Sequence, residues 1–208
     1  MSRQTNLNIM VSAIVILAVA IDQAIKLYIR THFALGESYE VTSWFYLCFI
    51  ENDGMAFGIE WFSKLLLTLF RIAAVGVLGW YTHRLIYGPS AQRSCSPKDG
   101  PSAEGGLSVK RSYLVMVSLV IAGALGNIID CVFYGKLFGY AGWFYGKVVD
   151  MFYFPLITNS AGECIFFRPV FNFADSCITV AVICIIIWFR KDLDVSLNKP
   201  KQTENSEK

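Results

Sequence analysis

The chain has 208 residues, of which 55% are hydrophobic, 15% aromatic and 16% charged. With a mean hydropathy of +0.48, this composition is too apolar for an ordinary soluble domain and predicts a small integral membrane protein. The formal net charge is only +2, and no basic surface interleaved with aromatic residues is visible. We therefore exclude nucleic-acid binding.

Four apolar runs are long enough to cross about 30 Å of hydrocarbon. They cover residues 7–27, 61–81, 113–129 and 172–189. The sequence thus predicts an all-α membrane protein with four transmembrane helices in a single membrane-embedded domain, residues 1–191. A Gly-, Pro- and Ser-rich segment is expected as a cytoplasmic linker at about 84–111, and residues 192–208 as a polar cytoplasmic tail.

The placement of Lys and Arg predicts the orientation, because short loops rich in these residues stay cytoplasmic. Most of them precede the first run, separate the second from the third, or follow the fourth, whereas residues 31–60 contain none. Both termini should therefore be cytoplasmic and the other two loops external. The first run lacks an A-x-A-like cleavage site, so we interpret it as an uncleaved anchor.

The two external loops differ in composition. Residues 38–52 are dense in β-branched and aromatic residues, which predicts one or two strands of a small sheet on the outer membrane face. Residues 131–171 are rich in Trp, Tyr and Phe, the types that settle at headgroup depth. This second loop is expected to lie at the membrane interface.

Cysteine and histidine usage gives no sign of a metal site. The six cysteines show no C-x-x-C spacing, and His32 and His83 are isolated, so we predict no bound metal. Cys177 and Cys184 fit small apolar helix residues. A disulfide between Cys48 and Cys164 outside the membrane stays possible.

Ionisable residues inside apolar runs are costly and need partners. Asp22 and Lys26 lie four apart on one helix face and can pair, either as an ion pair that snorkels at the helix end or as part of a site. Arg71 lies within the second run, and the sequence does not identify its partner. Asn127 and Asp130 share a face at the outer end of the third run.

The residues around Asn127 indicate close packing. Gly123, Ala124 and Gly126 are small and would let another helix approach. On this basis alone, Asp130 is best interpreted as a polar helix end that fixes packing and capping.

Asp150 and Asp175 call for another explanation. Asp150 is flanked by apolar residues, and Asp175 follows Asn172 by three residues at the start of the fourth run, where the helix dipole stabilises an anion. Taken alone, Asp175 could be a simple helix-start anion. Two carboxylates that converge at one membrane depth would instead suit acid and base chemistry on water, one ionised and the other protonated.

Five motifs occur in order along the chain: IDQAIK, FIENDGMAFG, GALGNIID, GKVVDMF and FNFADSCI. Each motif alone is weak, but the ordered set resembles the lipoprotein signal peptidase family, also called signal peptidase II. The resemblance covers essentially the whole chain apart from the tails and the central linker.

The resemblance implies an intramembrane aspartic endopeptidase that removes signal peptides from bacterial prolipoproteins, cutting before a diacylglyceryl-modified cysteine. Matching the VVD and FNxAD motifs makes Asp150 and Asp175 the catalytic pair, which activates a water molecule without a covalent intermediate, metal or cofactor. The partners would be the prolipoprotein and membrane lipid. The enzyme would be a monomer, multi-pass in the bacterial inner membrane, with its active site toward the outer face.

The same matching suggests roles for six further polar residues. Asn127 and Asn172 would orient the dyad or the substrate backbone. Asn52 would contact substrate from the outer loop. Three charged residues would stabilise the site: Asp22, Lys26 and Asp130. The strand-rich segment would form the family's β-cradle, and the interfacial loop its lid.

The chain departs from the family pattern in two ways. An Arg usually follows the Asp of GNxxD, but here the residue is Cys131. Lys136, Lys147 and Arg168 are candidates to replace it. The spacings between GNIID, VVD and FNFAD are also longer than expected for compact relatives, although added loop length costs little.

Two other classes of function compete. A proton-coupled transporter would also use membrane carboxylates, but it predicts acidic residues near mid-span and broken or repeated helices. A non-catalytic scaffold predicts that replacing Asp150 or Asp175 by Asn leaves function intact.

Overall fold

The computed structural model describes residues 2–53, 64–88, 111–158, 164–166 and 169–197. This part of the chain is mostly helical, with two small antiparallel sheets. The helices are α1 (Arg3–His32), α2 (Lys64–Tyr87), α3 (Arg111–Ile129), a π-helical turn (Asp130–Tyr134), α4 (Gly135–Leu137), α5 (Phe173–Trp188) and α6 (Arg190–Leu197). The strands are β1 (Ser38–Thr42), β2 (Phe45–Asn52), β3 (Val148–Tyr153), β4 (Ile157–Thr158) and β5 (Cys164–Phe166).

Three of the predicted spans are helices long and apolar enough to cross a membrane: α1, α2 and the continuous stretch Arg111–Leu137. The fourth is shorter. Helix α5 has 16 residues, which at 1.5 Å per residue reach about 24 Å, less than the hydrocarbon thickness of about 30 Å. A count of four membrane crossings therefore stays a prediction.

Helix α3 is the centre of the bundle, since α1, α2 and α5 all pack against it. Its small residues explain the close approach. A Cβ at Gly123 would lie 2.3 Å from the carbonyl oxygen of Ala174, and a Cβ at Gly126 would lie 2.5 Å from Asp22 Oδ2. The predicted packing role of these glycines is confirmed.

The expected small sheet is present, and it is larger than predicted. Strands β1, β2 and β3 form an antiparallel sheet in the order β1-β2-β3, with Ile50 opposite Asp150 and Asn52 opposite Val148. Strand β3 comes from the second external loop, residues 131–171, whose position at the membrane interface stays a prediction. Val148, Val149 and Met151 are buried, so side chains on both faces of this strand are covered.

The chain beyond α5 continues as a helix. The hydroxyl groups of Tyr81 and Tyr113 are 2.6 Å apart, and Tyr81 is also hydrogen-bonded to Ser196 of α6. The start of the predicted polar tail thus packs against the bundle, while residues 198–208 and most of the predicted linker lie outside the described residues. Cys48 carries a free, buried thiol 3.3 Å from Ser38 Oγ, so the possible disulfide with Cys164 is not formed.

Candidate active site

Asp150 lies in the middle of β3 with only 2% of its surface exposed. Its two carboxylate oxygens accept hydrogen bonds from different elements. The side-chain amide of Asn52, the last residue of β2, donates to Oδ2 at 2.9 Å, and that of Asn172 donates to Oδ1 at 2.6 Å. The carboxylate is therefore buried, with a donor on each oxygen.

Asp175 lies in the first turn of α5, and local structure holds it there. Asn172 is the N-cap, and its Oδ1 accepts the backbone N–H of Asp175 at 2.9 Å. Such a cap stabilises a helix start by about 1 kcal/mol. From α3, the side-chain amide of Asn127 donates to Asp175 Oδ1 at 2.7 Å.

The two asparagines join the two carboxylates into one network. Asn172 contacts both Asp150 and the backbone of Asp175, and it also donates to Asn127 Oδ1 at 3.2 Å. Residues separated widely in sequence thus meet at the junction of β3, α3 and α5. The convergence expected from the sequence is present.

Burial raises the pKa of Asp150 to about 6, and the nearby charge of Asp175 adds to the increase. The hydrogen bonds from Asn52 and Asn172, together with the positive charge of Lys26, act in the opposite direction and favour the ionised form. A carboxyl group with this pKa can hold or release a proton near neutral pH, which acid and base chemistry requires.

Lys26 of α1 contacts this network through Asn127. Its ammonium group lies 2.9 Å from Asp22 Oδ2, 2.7 Å from Asp130 Oδ2 and 2.9 Å from Asn127 Oδ1. The predicted pairing of Asp22 with Lys26 is confirmed. The snorkelling alternative is wrong, because both side chains are 0% exposed and Lys26 also pairs with Asp130.

The two carboxylates around Lys26 also bind the backbone beside each of the paired aspartates. Asp22 Oδ1 accepts the N–H of Ala174, directly before Asp175, at 3.0 Å. Asp130 Oδ2 accepts the N–H of Val149, directly before Asp150, at 3.3 Å. Asp130 is therefore more than a helix end, since it connects the buried charge group to β3.

Gln23 is a member of the site that the sequence analysis missed. Its Nε2 lies within 3.2 Å of Asp22 Oδ2, the Gly126 carbonyl oxygen and Asp130 Oδ1. The hydroxyl of Tyr134 donates to Gln23 Oε1 at 3.0 Å. The sequence signal that could have identified Gln23 is a neutral amide side chain inside the first apolar run, next to Asp22.

The cation that contacts Cys131, the residue that stands where the family usually has Arg, is not one of the three candidates named from the sequence. Arg71 on α2 donates from Nη1 to Cys131 Sγ at 2.9 Å. Lys147 lies 3.5 Å from Glu51, and Lys136 is exposed. Arg168 lies outside the described residues. The guanidinium at Cys131 thus comes from α2 rather than from the second outer loop.

The family profile described as Signal peptidase (SPase) II matches residues 14–96 and 104–191, which include every residue of the network above. The chain belongs to the signal peptidase II family. This assignment favours a peptidase over the transporter and scaffold alternatives, and it makes the chain a member of a family of bacterial membrane enzymes.

Individual relatives agree with the signal peptidase II assignment. The chain is 38% identical to the lipoprotein signal peptidase of Porphyromonas gingivalis over 95% of its own length and 92% of the relative's. It is 33% identical to that of Amoebophilus asiaticus, over 92% of this chain and 82% of the relative. A solved bacterial membrane enzyme superimposes with a TM-score of 0.59 at 27% identity, covering 94% of both chains.

Among the residues that the structure describes, no group of three or more His, Cys, Asp or Glu side chains is arranged to hold a metal ion. Asp22 and Asp130, the acidic pair nearest the network, are instead both paired with Lys26.

Proposed function

We propose that this signal peptidase II is an intramembrane aspartic endopeptidase that removes signal peptides from diacylglyceryl-modified bacterial prolipoproteins, cutting before the lipidated cysteine. The observation that carries the proposal is the shared contact of Asn172 with Asp150 and with the backbone of Asp175. It brings together two carboxylates that reach the site from a strand and from a helix start.

In the proposed mechanism the two aspartates differ in role because their surroundings differ. Asp150, with a pKa raised to about 6 by burial, holds the single proton of the pair and donates it to the scissile carbonyl oxygen. Asp175 takes a proton from water as the water oxygen attacks the carbonyl carbon. When the C–N bond breaks, Asp175 gives that proton to the leaving amine, and Asp150 takes a proton back from a hydroxyl of the tetrahedral intermediate, so the pair is regenerated without a covalent intermediate.

The other site residues support this chemistry. Asn127 and Asn172 hold the two carboxylates in position, and Asn52 orients Asp150 while facing the space where substrate would enter. Lys26 pairs with both Asp22 and Asp130, so each of these buried carboxylates has a cationic partner while it anchors the backbone beside the dyad.

The membrane placement suits the substrate. With both termini cytoplasmic and α5 as the fourth crossing of the inner membrane, the N-terminus of α5 and the three-stranded sheet would lie at the outer face. The acyl chains of the substrate could then stay in lipid while its peptide reaches the dyad under the β-cradle. We propose that the enzyme acts as a monomer.

The proposal is tested with purified protein in detergent and two synthetic prolipoproteins that differ only in the diacylglyceryl group on the cysteine. We expect mass spectrometry to find release of the intact signal peptide, ending directly before the cysteine, from the lipidated substrate alone. Cleavage at another position, equal cleavage of the unlipidated substrate, or no cleavage of either would contradict the proposal.

A further inference from the structure

Arg71 is a cation within a membrane-spanning helix, and the proposed mechanism gives it no role. A charge at the centre of a membrane helix is costly, so such residues usually face a cavity or a polar partner. Arg71 is partly exposed, and its Nη1 donates to Cys131 Sγ at 2.9 Å. This contact fixes the direction of the guanidinium.

The thiol of Cys131 leaves most of the guanidinium's capacity unused. A thiol is a weak acceptor, whereas a guanidinium carries five N–H donors and a full positive charge. In the described part of the chain, no carboxylate lies within ion-pair distance of Arg71. The group is therefore suited to bind further oxygen acceptors.

The contact places the guanidinium at Cys131, near residues that hold the dyad. Cys131 lies one helical turn after Asn127, which holds Asp175, and both residues follow the same side of α3 into the π-helical turn. The carbonyl oxygen of Cys131 accepts the N–H of Gly146 at 2.8 Å, at the start of the segment that leads to Asp150. Arg71 thus reaches the π-helical turn that follows Asn127 and contacts the segment leading to Asp150.

Arg71 is part of a polar stripe on an otherwise apolar helix. Lys64, Thr68 and Arg71 follow the spacing of one helix face. Lys64 pairs with Asp53 at 2.6 Å, next to Asn52, and the Thr68 hydroxyl donates to the carbonyl oxygen of Phe144 at 3.4 Å. This stripe, which we call the α2 polar stripe, contacts Asp53, the Phe144 carbonyl and Cys131.

We infer that Arg71 is a substrate-binding residue whose guanidinium donates hydrogen bonds to main-chain carbonyl oxygens of the peptide lying at the dyad. An extended peptide in an apolar environment exposes carbonyl groups that are costly to leave unpaired. A planar guanidinium can satisfy two of them in a fixed geometry. This inference rests on the proposed function, since it deepens the account of how that site holds its substrate.

The chain itself offers a relocation variant as a test. The family pattern carries an Arg at the position of Cys131, and here the guanidinium reaches that position from α2 instead. The double variant Arg71→Gln/Cys131→Arg therefore moves the same functional group onto the neighbouring helix. Arg84→Gln is the matched control, because Arg84 lies at the other end of α2 and stacks over Trp80.

The measurement is the Kd of a fluorescent diacylglyceryl signal peptide in an Asp175→Asn background, which prevents turnover, together with KM and kcat in the active background. We expect Arg71→Gln to raise Kd and KM by about 10- to 100-fold, the range for a lost hydrogen bond to a charged group. Arg71→Lys should lose less, the relocation variant should recover at least tenfold of the loss, and Arg84→Gln should stay within twofold.

A Kd for Arg71→Gln within threefold of the reference would overturn the inference, as would a folded relocation variant that recovers nothing. The melting transition in detergent identifies variants that fail to fold. If Arg71→Gln fails to fold, the Kd of Arg71→Lys is judged by the same threefold criterion. If native protein binds the peptide but does not cleave it, the proposed function is overturned. The role of Arg71 is still tested in that case, by comparing the Kd of Arg71→Gln with that of the reference protein. Native cleavage with an unchanged Arg71→Gln Kd would overturn the role of Arg71 alone.

Discussion

Replacing Asn52 by Ala should move the pH dependence of catalysis toward higher pH. The substitution removes the donor that reaches Asp150 Oδ2 at 2.9 Å. Asn52 is exposed and is the last residue of β2, so the fold should tolerate the loss. Asp150 keeps its bond from Asn172, and the change therefore affects one stabilising contact of the ionised carboxylate.

The size of the shift follows from the strength of that contact. A hydrogen bond to a charged group contributes about 1.5 to 3 kcal/mol, and water at this exposed position would replace part of it. A remainder of about 1 kcal/mol corresponds to roughly 0.7 pKa unit. Since the bond favours the ionised form, its loss raises the pKa of Asp150 from about 6 to between about 6.5 and 7.

The assay is the pH profile of kcat/KM, which reports the free enzyme. In the proposed mechanism Asp150 must be protonated, so activity falls as pH rises through its pKa. The falling limb should therefore move up by about 0.5 to 1 unit in Asn52→Ala and further in Asn52→Asp, which adds a like charge. Asn8→Ala is the control, because Asn8 lies near the start of α1, whereas the site residues Asp22 and Lys26 lie toward the end of that helix. An unmoved limb, or one that moves down, would refute the reasoning.

Three further predictions concern stability, measured as melting temperature in detergent. The folded pKa of Asp150, raised from 3.8 to about 6, means that folded protein loses stability as pH rises from about 4 to about 6. Between about pH 4 and about pH 6, native protein should therefore lose up to about 3 kcal/mol more stability than Asp150→Asn, and an equal pH dependence of the two melting temperatures would contradict this. Lys26→Met leaves buried carboxylates unpaired and should cost about 3 to 5 kcal/mol, whereas exposed Lys136→Met should cost almost nothing; equal effects would count against the buried group. Gly123→Ala forces a Cβ to 2.3 Å from a backbone oxygen and should lower the melting temperature, unlike Gly79→Ala, whose Cβ meets nothing within 4 Å; a tolerated Gly123→Ala would disprove the close helix contact.

Features set by local pattern could be predicted from the sequence. Apolar runs indicated α1, α2 and α3 because hydrophobic length is a property of the chain itself. The pairing of Asp22 with Lys26 followed from helical spacing, and the cap formed by Asn172 over Asp175 is a contact across one turn. The ordered motifs then identified the family.

Features that depend on non-local contacts could not be predicted in the same way. Periodicity did not show that the VVDMFY segment pairs with β2, because its apolar residues fit an interfacial loop equally well. The contacts of Lys26 with Asp130 and of Arg71 with Cys131 join residues more than 50 positions apart. Such contacts depend on how the helices pack, which the spacing of residues within each helix does not specify.

The most direct test of the account compares native protein with Asp150→Asn and Asp175→Asn in cleavage of the diacylglyceryl-modified prolipoprotein, with exposed Asp194→Asn as the matched control. Binding of the fluorescent signal peptide and the melting transition establish that each variant is folded. The account predicts that both dyad variants bind substrate but release signal peptide at least about 100-fold more slowly, while the control cleaves normally. Near-native cleavage by either folded dyad variant would contradict the central claim that Asp150 and Asp175 together carry out the hydrolysis.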